Sequence, residues 1–310
     1  MENLSYSTKP MSDKPQEKID ILSVTLLDQH RPLVTDLKKL ASSLSLGFGW
    51  HYLLDLSWII SHLGNIQGKS IIDAGAGLGV LQWYLAKKGA EVLSVDRNSR
   101  AGLPSRFRTR FRIQWLRPEN SFDLISTFKM MLASFMRIPG IRGKIAFLVG
   151  ELIHNIPLRR ATGKIIFYNQ DLKNLIDVPD NTLDAVAAVS ALEHNPPEEL
   201  EMVVAEIMRV LKPGGLLLAT LGAAKDQDWF HEPSQGWCYT EETLRRVFGL
   251  EEDTPSNYAQ YDELFTALHD CAELRDNLAS FYFQSGDNGM PWGVWNPQYQ
   301  SVGVCKIKKE

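Results

Sequence analysis

The run Ile71-Ile72-Asp73-Ala74-Gly75-Ala76-Gly77-Leu78-Gly79-Val80 decides the fold of this chain. An apolar strand enters glycines at alternate positions, and a helical pattern follows at about Leu78–Lys88. Such glycines let the backbone turn sharply and let a ligand approach with no Cβ in the way. Asp96 ends the next strand, seventeen residues after Gly79, where a carboxylate can accept both hydrogen bonds of a ribose diol. A dinucleotide loop wants Gly or Ala three residues after Gly77, but Val80 stands there, and the loop holds no basic residue to neutralise a pyrophosphate. The pattern fits an adenosine ligand without phosphates. The plainer reading is a tight strand-to-helix turn that holds nothing.

Outward from this loop, short apolar runs alternate with helical ones. Strands are expected at Ser70–Ala74, Ala90–Asp96, Lys164–Tyr168, Leu183–Val189 and Leu216–Leu221, with a helix at about Pro197–Leu211. This alternation predicts an α/β, doubly wound, mostly parallel sheet. Before it, Leu33, Leu37, Leu40 and Leu44 recur at helical spacing, and a second helical stretch runs from Trp50 to Leu63. After it come a helix from Glu241, a longer one within about Asn257–Leu278, and a hairpin pairing Ser280–Gln284 with Tyr299–Lys306. About 67 residues separate the second and third strands, where a crossover needs only about a dozen.

With 44% hydrophobic and 23% charged residues, the composition is that of a folded globular chain and excludes a disordered or low-complexity one. No apolar run reaches the length of a spanning helix. The polar N-terminus carries no export signal, and Cys238, Cys271 and Cys305 are scattered, which reads as a reduced, cytoplasmic protein. The net charge is −4, yet Arg97–Lys164 holds fourteen basic against three acidic residues. One segment is therefore built to meet something anionic while the acidic body is not.

Five motifs occur in order: DAGAGLG (73–79), SVDRN (94–98), NQDLKNL (169–175), SALEH (190–194) and RVLKPGGLLLAT (209–220). Over about residues 68–222 the chain resembles the class I S-adenosylmethionine-dependent methyltransferases, in particular the type 11 group that includes quinone-biosynthesis enzymes. The resemblance implies a Rossmann-like, mostly parallel seven-stranded sheet in a methyltransferase domain at 65–310. Around it, a flexible tail is expected at 1–18, N-terminal helices forming a cap at 19–64, and a basic helical insertion at about 100–163. It implies S-adenosylmethionine as cofactor, leaving as S-adenosylhomocysteine, with Gly75, Ala76, Gly77 and Gly79 beneath its methionine and ribose parts. Asp73 would orient its amino-acid end. Asp96 would hold the ribose hydroxyls beside Arg97, Asp171 and Leu172 would meet the adenine, and Ser190 would lie under the cofactor.

Methyl transfer from a sulfonium is an in-line displacement in which alignment supplies much of the acceleration, while an oxygen acceptor also needs a base. Glu193 and His194 end the fourth strand. The loop DWFHEPSQGWCYT (228–240) adds His231 among Trp229, Trp237 and Tyr239. Trp50, His51 and Tyr52 are candidates for the opposite wall of an acceptor pocket. Each aromatic taken singly also fits core packing, and His194 fits a turn hydrogen bond. Some quinone O-methyltransferases carry Glu/Asp-x-x-Glu-His for a divalent metal; Ser190 replaces the first acid here, and no metal site is expected. Asn195-Pro196-Pro197-Glu198 reads as a helix start, with Asn195 as N-cap, Pro196 at the first helical position and Glu198 closing a capping box. Thr240 is expected to cap the helix that follows.

In the insertion, RFRTRFRIQWLR (106–117) alternates basic with apolar residues and predicts a strand, followed by a helix at about Phe122–Arg137. Apolar stripes among basic residues fit contact with an anionic membrane surface at its inner face. They equally fit a lid or a homodimer interface, and the acidic body argues against nucleic acid. The expected activity is O-methylation of a small-molecule or lipid-linked acceptor. The alternatives are C- or N-methylation of a metabolite, and a catalytically inactive cofactor-binding scaffold.

Overall fold

The computed structural model describes residues 15–121, 123–154, 161–281, 290 and 294–310. Helices α1 (Leu26–Gln29), α2 (Arg31–Ser43) and α3 (Tyr52–Leu63) follow strand β1 (Lys18–Ile21). Then come β2 (Ser70–Ala74), α4 (Val80–Lys87), β3 (Glu91–Asp96), α5 (Ser105–Arg110), β4 (Arg112–Trp115), α6 (Leu124–Arg137) and α7 (Gly140–His154). The second half runs β5 (Lys164–Asn169), β6 (Leu183–Val189), α8 (Pro197–Val210), β7 (Leu211–Ala223), β8 (Trp229–His231), β9 (Gly236–Tyr239), α9 (Glu241–Phe248), α10 (Tyr261–His269), α11 (Ala272–Phe281) and β10 (Gln300–Ile307).

The strands form one sheet in the order β1-β10-β7-β6-β2-β3-β5-β4, with β9 against β7 and β8 against β9. From β7 to β4 every pairing along this order is parallel, while β10 is antiparallel to both β7 and β1. The doubly wound class follows from the sequence pattern, but the described sheet has ten strands rather than seven. Successive side chains of each strand point to opposite faces, and both faces are covered. Ile71, Val92 and Leu218 face Leu37, Trp58 and Trp83 of α2, α3 and α4. Ile72, Leu93 and Leu217 face Val203, Ile207 and Leu244 of α8 and α9. Strands buried on both sides read as continuous apolar runs, which is why the central ones were legible.

Several expectations need correction. Lys18 does not belong to a flexible tail: β1 pairs Lys18–Ile21 with Val302–Cys305. The first fourteen residues lie outside the described ones. The expected hairpin fails at its first arm. Ser280 lies in helix α11, Tyr282–Gln284 lie outside the described residues, and β10 inserts between β1 and β7 instead. Arg106–Arg117 is not one strand, since Ser105–Arg110 is a helical turn and only Arg112–Trp115 extends. The stretch 257–278 holds two helices, divided near Asp270–Cys271. The helix after Asn195 starts one residue later than expected, with Pro196 at its N-cap, while the Asn195 side chain donates to the Leu192 carbonyl. Thr240 does cap α9, accepting from the Thr243 amide at 3.3 Å.

The long gap before β5 is thus occupied by an extra edge strand, β4, and by the crossover helices α6 and α7. Its start is fastened to the core, where the fully buried Trp83 ring stacks on Phe107 at 4.5 Å and meets Phe111 at 4.8 Å. Trp83→Ala should lower unfolding stability by about 3–5 kcal/mol, read as a shifted midpoint in urea denaturation.

Candidate functional site

The carboxyl ends of β2, β3, β5 and β6 open on a cavity of about 400 Å³. Its walls include Gly75, Asp96, Gln170, Leu172, Ser190 and Tyr52. Ligands of open parallel sheets bind beyond these ends, where crossovers diverge to opposite faces. Gly75 has φ +68°, and a Cβ there would stand 2.4 Å from that of Ala191. Gly77 has φ +47° and donates its N–H to Asp96 Oδ2 at 2.7 Å, while Asn98 N–H donates to Oδ1 at 2.7 Å. The glycine loop and the acid of the next strand are therefore one hydrogen-bonded unit.

A buried polar network fixes the loop from below. The Gln82 amide donates to the carbonyls of Ala76, Gly77 and Gly79 at 3.2–3.3 Å. Its Oε1 accepts from the Ser94 hydroxyl at 2.8 Å. Arg100 Nη1 donates to that hydroxyl at 2.6 Å, and Nη2 donates to the Ser94 carbonyl at 2.9 Å. Sequence reasoning missed Gln82, Ser94 and Arg100. A polar residue at position 82 within the buried run Val80–Ala86 was the available signal.

Asp73, the last residue but one of β2, is 3% exposed, and its Oδ2 has no hydrogen-bond partner. Burial raises its pKa to about 7, although Arg100 opposes the shift. At the end of β6, Ser190 adopts φ +48°, a conformation that a non-glycine residue holds only under tertiary constraint. Its hydroxyl donates to Glu193 Oε1. Glu193 is buried, its pKa is raised by desolvation, and its Oε2 has no partner. Tyr52, at the start of α3, lines the cavity together with Ser190. Behind Tyr52 stands a dyad that includes a further missed residue, Asp55: His51 Nδ1 and Asp55 Oδ2 lie 2.6 Å apart, both buried. The His51 pKa is raised, because the Asp55 carboxylate outweighs desolvation.

The aromatic loop divides by the two-residue period of its strands. Trp229 and His231 turn towards the α3 side, where His231 lies 5.2 Å from the Tyr299 ring and Tyr299 meets Trp50 and His51. His231 is held through Nδ1 by the Ser234 hydroxyl at 2.7 Å, and burial lowers its pKa. Trp237 and Tyr239 turn to the opposite face, into the core under α8 and α9. Tyr239 is wholly buried, and its hydroxyl donates to the Asn195 carbonyl, which sets it apart from the expected pocket wall. His194 is exposed at the cavity rim, with Nδ1 2.8 Å from the Gln235 carbonyl. Asp171 pairs with Arg97 at 2.9 Å, leaving Gln170 and Leu172 to line the cavity on that side.

Residues 151–219 match the family model described as Methyltransferase domain, Methyltransf_11. This stretch of the chain, from α7 to β7, is similar to a methyltransferase domain. Within the curated proteins, 43 residues are 44% identical to a ubiquinone biosynthesis O-methyltransferase of Acinetobacter baylyi, covering 14% of this chain and 18% of that protein. A stretch of 77 residues is 39% identical to ribosomal RNA small subunit methyltransferase A of Bartonella quintana, covering 24% and 28% respectively. The chain thus spans less than a third of the length of either relative. A solved N-methyltransferase of Haemonchus contortus, phospholethanolamine N-methyltransferase 2 in complex with S-adenosylhomocysteine, is similar at TM-score 0.46 and 14% identity, over 92% of this chain and 60% of that one.

The raised Asp73 pKa gives the fold a defined pH response. The folded state prefers the neutral carboxyl, so its contribution is full below the ordinary value of 3.8 and is lost as pH rises to about 7. Asp73→Asn should therefore gain on the native chain across this window, by at most about 4 kcal/mol. Urea denaturation of both proteins at pH 5 and pH 8 measures the difference.

Proposed function

We propose that the protein transfers a methyl group from S-adenosylmethionine to an oxygen of a small-molecule or lipid-linked acceptor, releasing S-adenosylhomocysteine. The observation that carries this reading is the joining of the glycine loop to Asp96 across one cavity wall. The residues fit the cofactor on three counts. Gly75 lines the cavity with backbone alone, because a Cβ there would collide with Ala191. Asp96 retains lone pairs for a ribose diol beyond those engaged by Gly77 and Asn98. Asp73 Oδ2 is a buried acceptor without a partner, suited to a cationic amino group. When bound, S-adenosylmethionine supplies an electrophilic methyl group on a sulfonium.

The chain's own part is to hold the acceptor, exclude water and take a proton. Leu172 and Gln170 offer one wall to the adenine, and Ser190 with Tyr52 offers the wall nearest the acceptor. Glu193 is the proposed proton acceptor. It accepts a hydrogen bond from the Ser190 hydroxyl, which lines the cavity, its other oxygen has no partner, and burial raises its basicity. His51, held by Asp55, lies within electrostatic reach of the same carboxylate, and each favours the charged form of the other. Oxygen as the acceptor atom is supported by this buried base and by the short match to the ubiquinone O-methyltransferase.

Two measurements separate the cofactor from the chemistry. Asp96→Ala should weaken S-adenosylhomocysteine binding in calorimetry by at least about tenfold, the loss of one or two hydrogen bonds to a charged group. Unchanged affinity would remove Asp96 from the site. Incubation of the protein with methyl-labelled S-adenosylmethionine and a cell extract should yield a labelled methyl ether. Glu193→Gln should lower that turnover by about 100-fold with S-adenosylhomocysteine affinity retained. A methylated amine or carbon product would instead establish the N- or C-transfer alternative.

A further inference from the structure

Helices α6 and α7 leave their apolar side uncovered. Of the twelve large hydrophobic residues exposed among the described ones, nine lie on this pair. Ile125, Phe128, Leu132 and Met136 recur at steps of three and four along α6, which places them on one face. Ile141, Ile145, Leu148 and Val149 do the same along α7. Exposure reaches 66% at Met136 and 76% at Ile141. The two helices meet through Phe135 and Phe147, whose rings lie 6.4 Å apart, and neither stripe enters the two buried cores. Patches of this extent on a folded chain mark a contact surface.

The flanking charge selects the occupant. Lys129 and Arg137 lie on α6, and Arg142 and Lys144 on α7, against Glu151 as the one acidic residue in the sequence of either helix. At 100° per residue, Arg142 and Lys144 fall on opposite sides of the α7 stripe. Two copies meeting through this face would set basic residues against basic ones, whereas an anionic bilayer supplies both an apolar interior and a negative surface. No helix among the described residues is long and apolar enough to cross a membrane, so the contact is in-plane.

We propose that the α6–α7 pair lies on a membrane surface rich in anionic lipid, with the two apolar stripes in the acyl boundary and the four basic residues among the headgroups. The strand β4 that feeds α6 ends at the same sheet edge as the cavity, because β4 is parallel to β5. Docking through the pair therefore brings that edge towards the lipid. This inference stands apart from the choice of acceptor and from catalysis.

The test is sedimentation of the full chain with vesicles of phosphatidylcholine alone and of phosphatidylcholine mixed with phosphatidylglycerol, at low salt. Binding should be at least about tenfold stronger to the anionic vesicles, given two or more basic residues at the surface. It should fall by at least about tenfold in Phe128→Glu/Ile141→Glu and in Lys129→Glu/Arg142→Glu. These positions are surface ones, and circular dichroism checks that the variants remain folded. Equal retention of both variants, no binding to anionic vesicles, or a solution dimer that Phe128→Glu/Ile141→Glu dissolves would each overturn the proposal.

Discussion

The Gln82 side chain is the constraint on which the ligand end of this molecule depends. A loop of alternating glycines has little conformational preference of its own, and three of its carbonyls point back into the protein. One amide group, sharing its two N–H hydrogens, reaches all three, and its oxygen accepts from the Ser94 hydroxyl on the neighbouring strand, which in turn accepts from Arg100. Buried polar groups are expensive to leave unpaired, and networks of them admit few alternative arrangements. The loop is thus fixed from beneath by Gln82 and from above by the Asp96 carboxylate, and the cavity inherits its shape from these two points.

The central strands were legible because both faces of the sheet are covered, so β2, β3, β5 and β6 read as compact apolar runs between turns. The edges were not. Lys18-Ile19-Asp20-Ile21 is a four-residue alternation of charged and apolar side chains, made a strand by partners remote in sequence, Val302–Cys305 on one edge and Pro255–Asn257 on the other. Strand β4 has partly exposed side chains on its outer rim and borrows its extended form from β5. The basic alternation before it turned helical because Phe107 and Phe111, four residues apart, both reach Trp83. Tertiary packing on one ring outweighed the local two-residue period.

The candidate site was legible where a residue type carries its own geometry, as with the glycines and Asp96. It was illegible where partners are remote in sequence. Nothing near Asp55 announces that it will hold His51 against the end of β6, or that Tyr299 will close the far side. The aromatic loop shows the same limit. Its four candidate residues are equally aromatic in sequence, yet the pairing of β8 with β9 sends Trp229 and His231 to one face and Trp237 and Tyr239 to the other. A register, not a composition, decides which rings can meet a ligand.

Strands β4 and β5 lie side by side, with Arg112 opposite Lys164, and the Ala161 amide bonds the Arg110 carbonyl at 3.0 Å. The chain between them departs from the sheet and rejoins it at a neighbouring strand, after an excursion whose apolar stripes enter neither core. Closing such an excursion becomes only slightly harder as it lengthens, by about 0.6 kcal/mol per doubling. Its length and surface can therefore drift across lineages without disturbing the glycine loop or its acid. A domain built this way can acquire a new cellular address by exchanging one crossover, with its chemistry left intact.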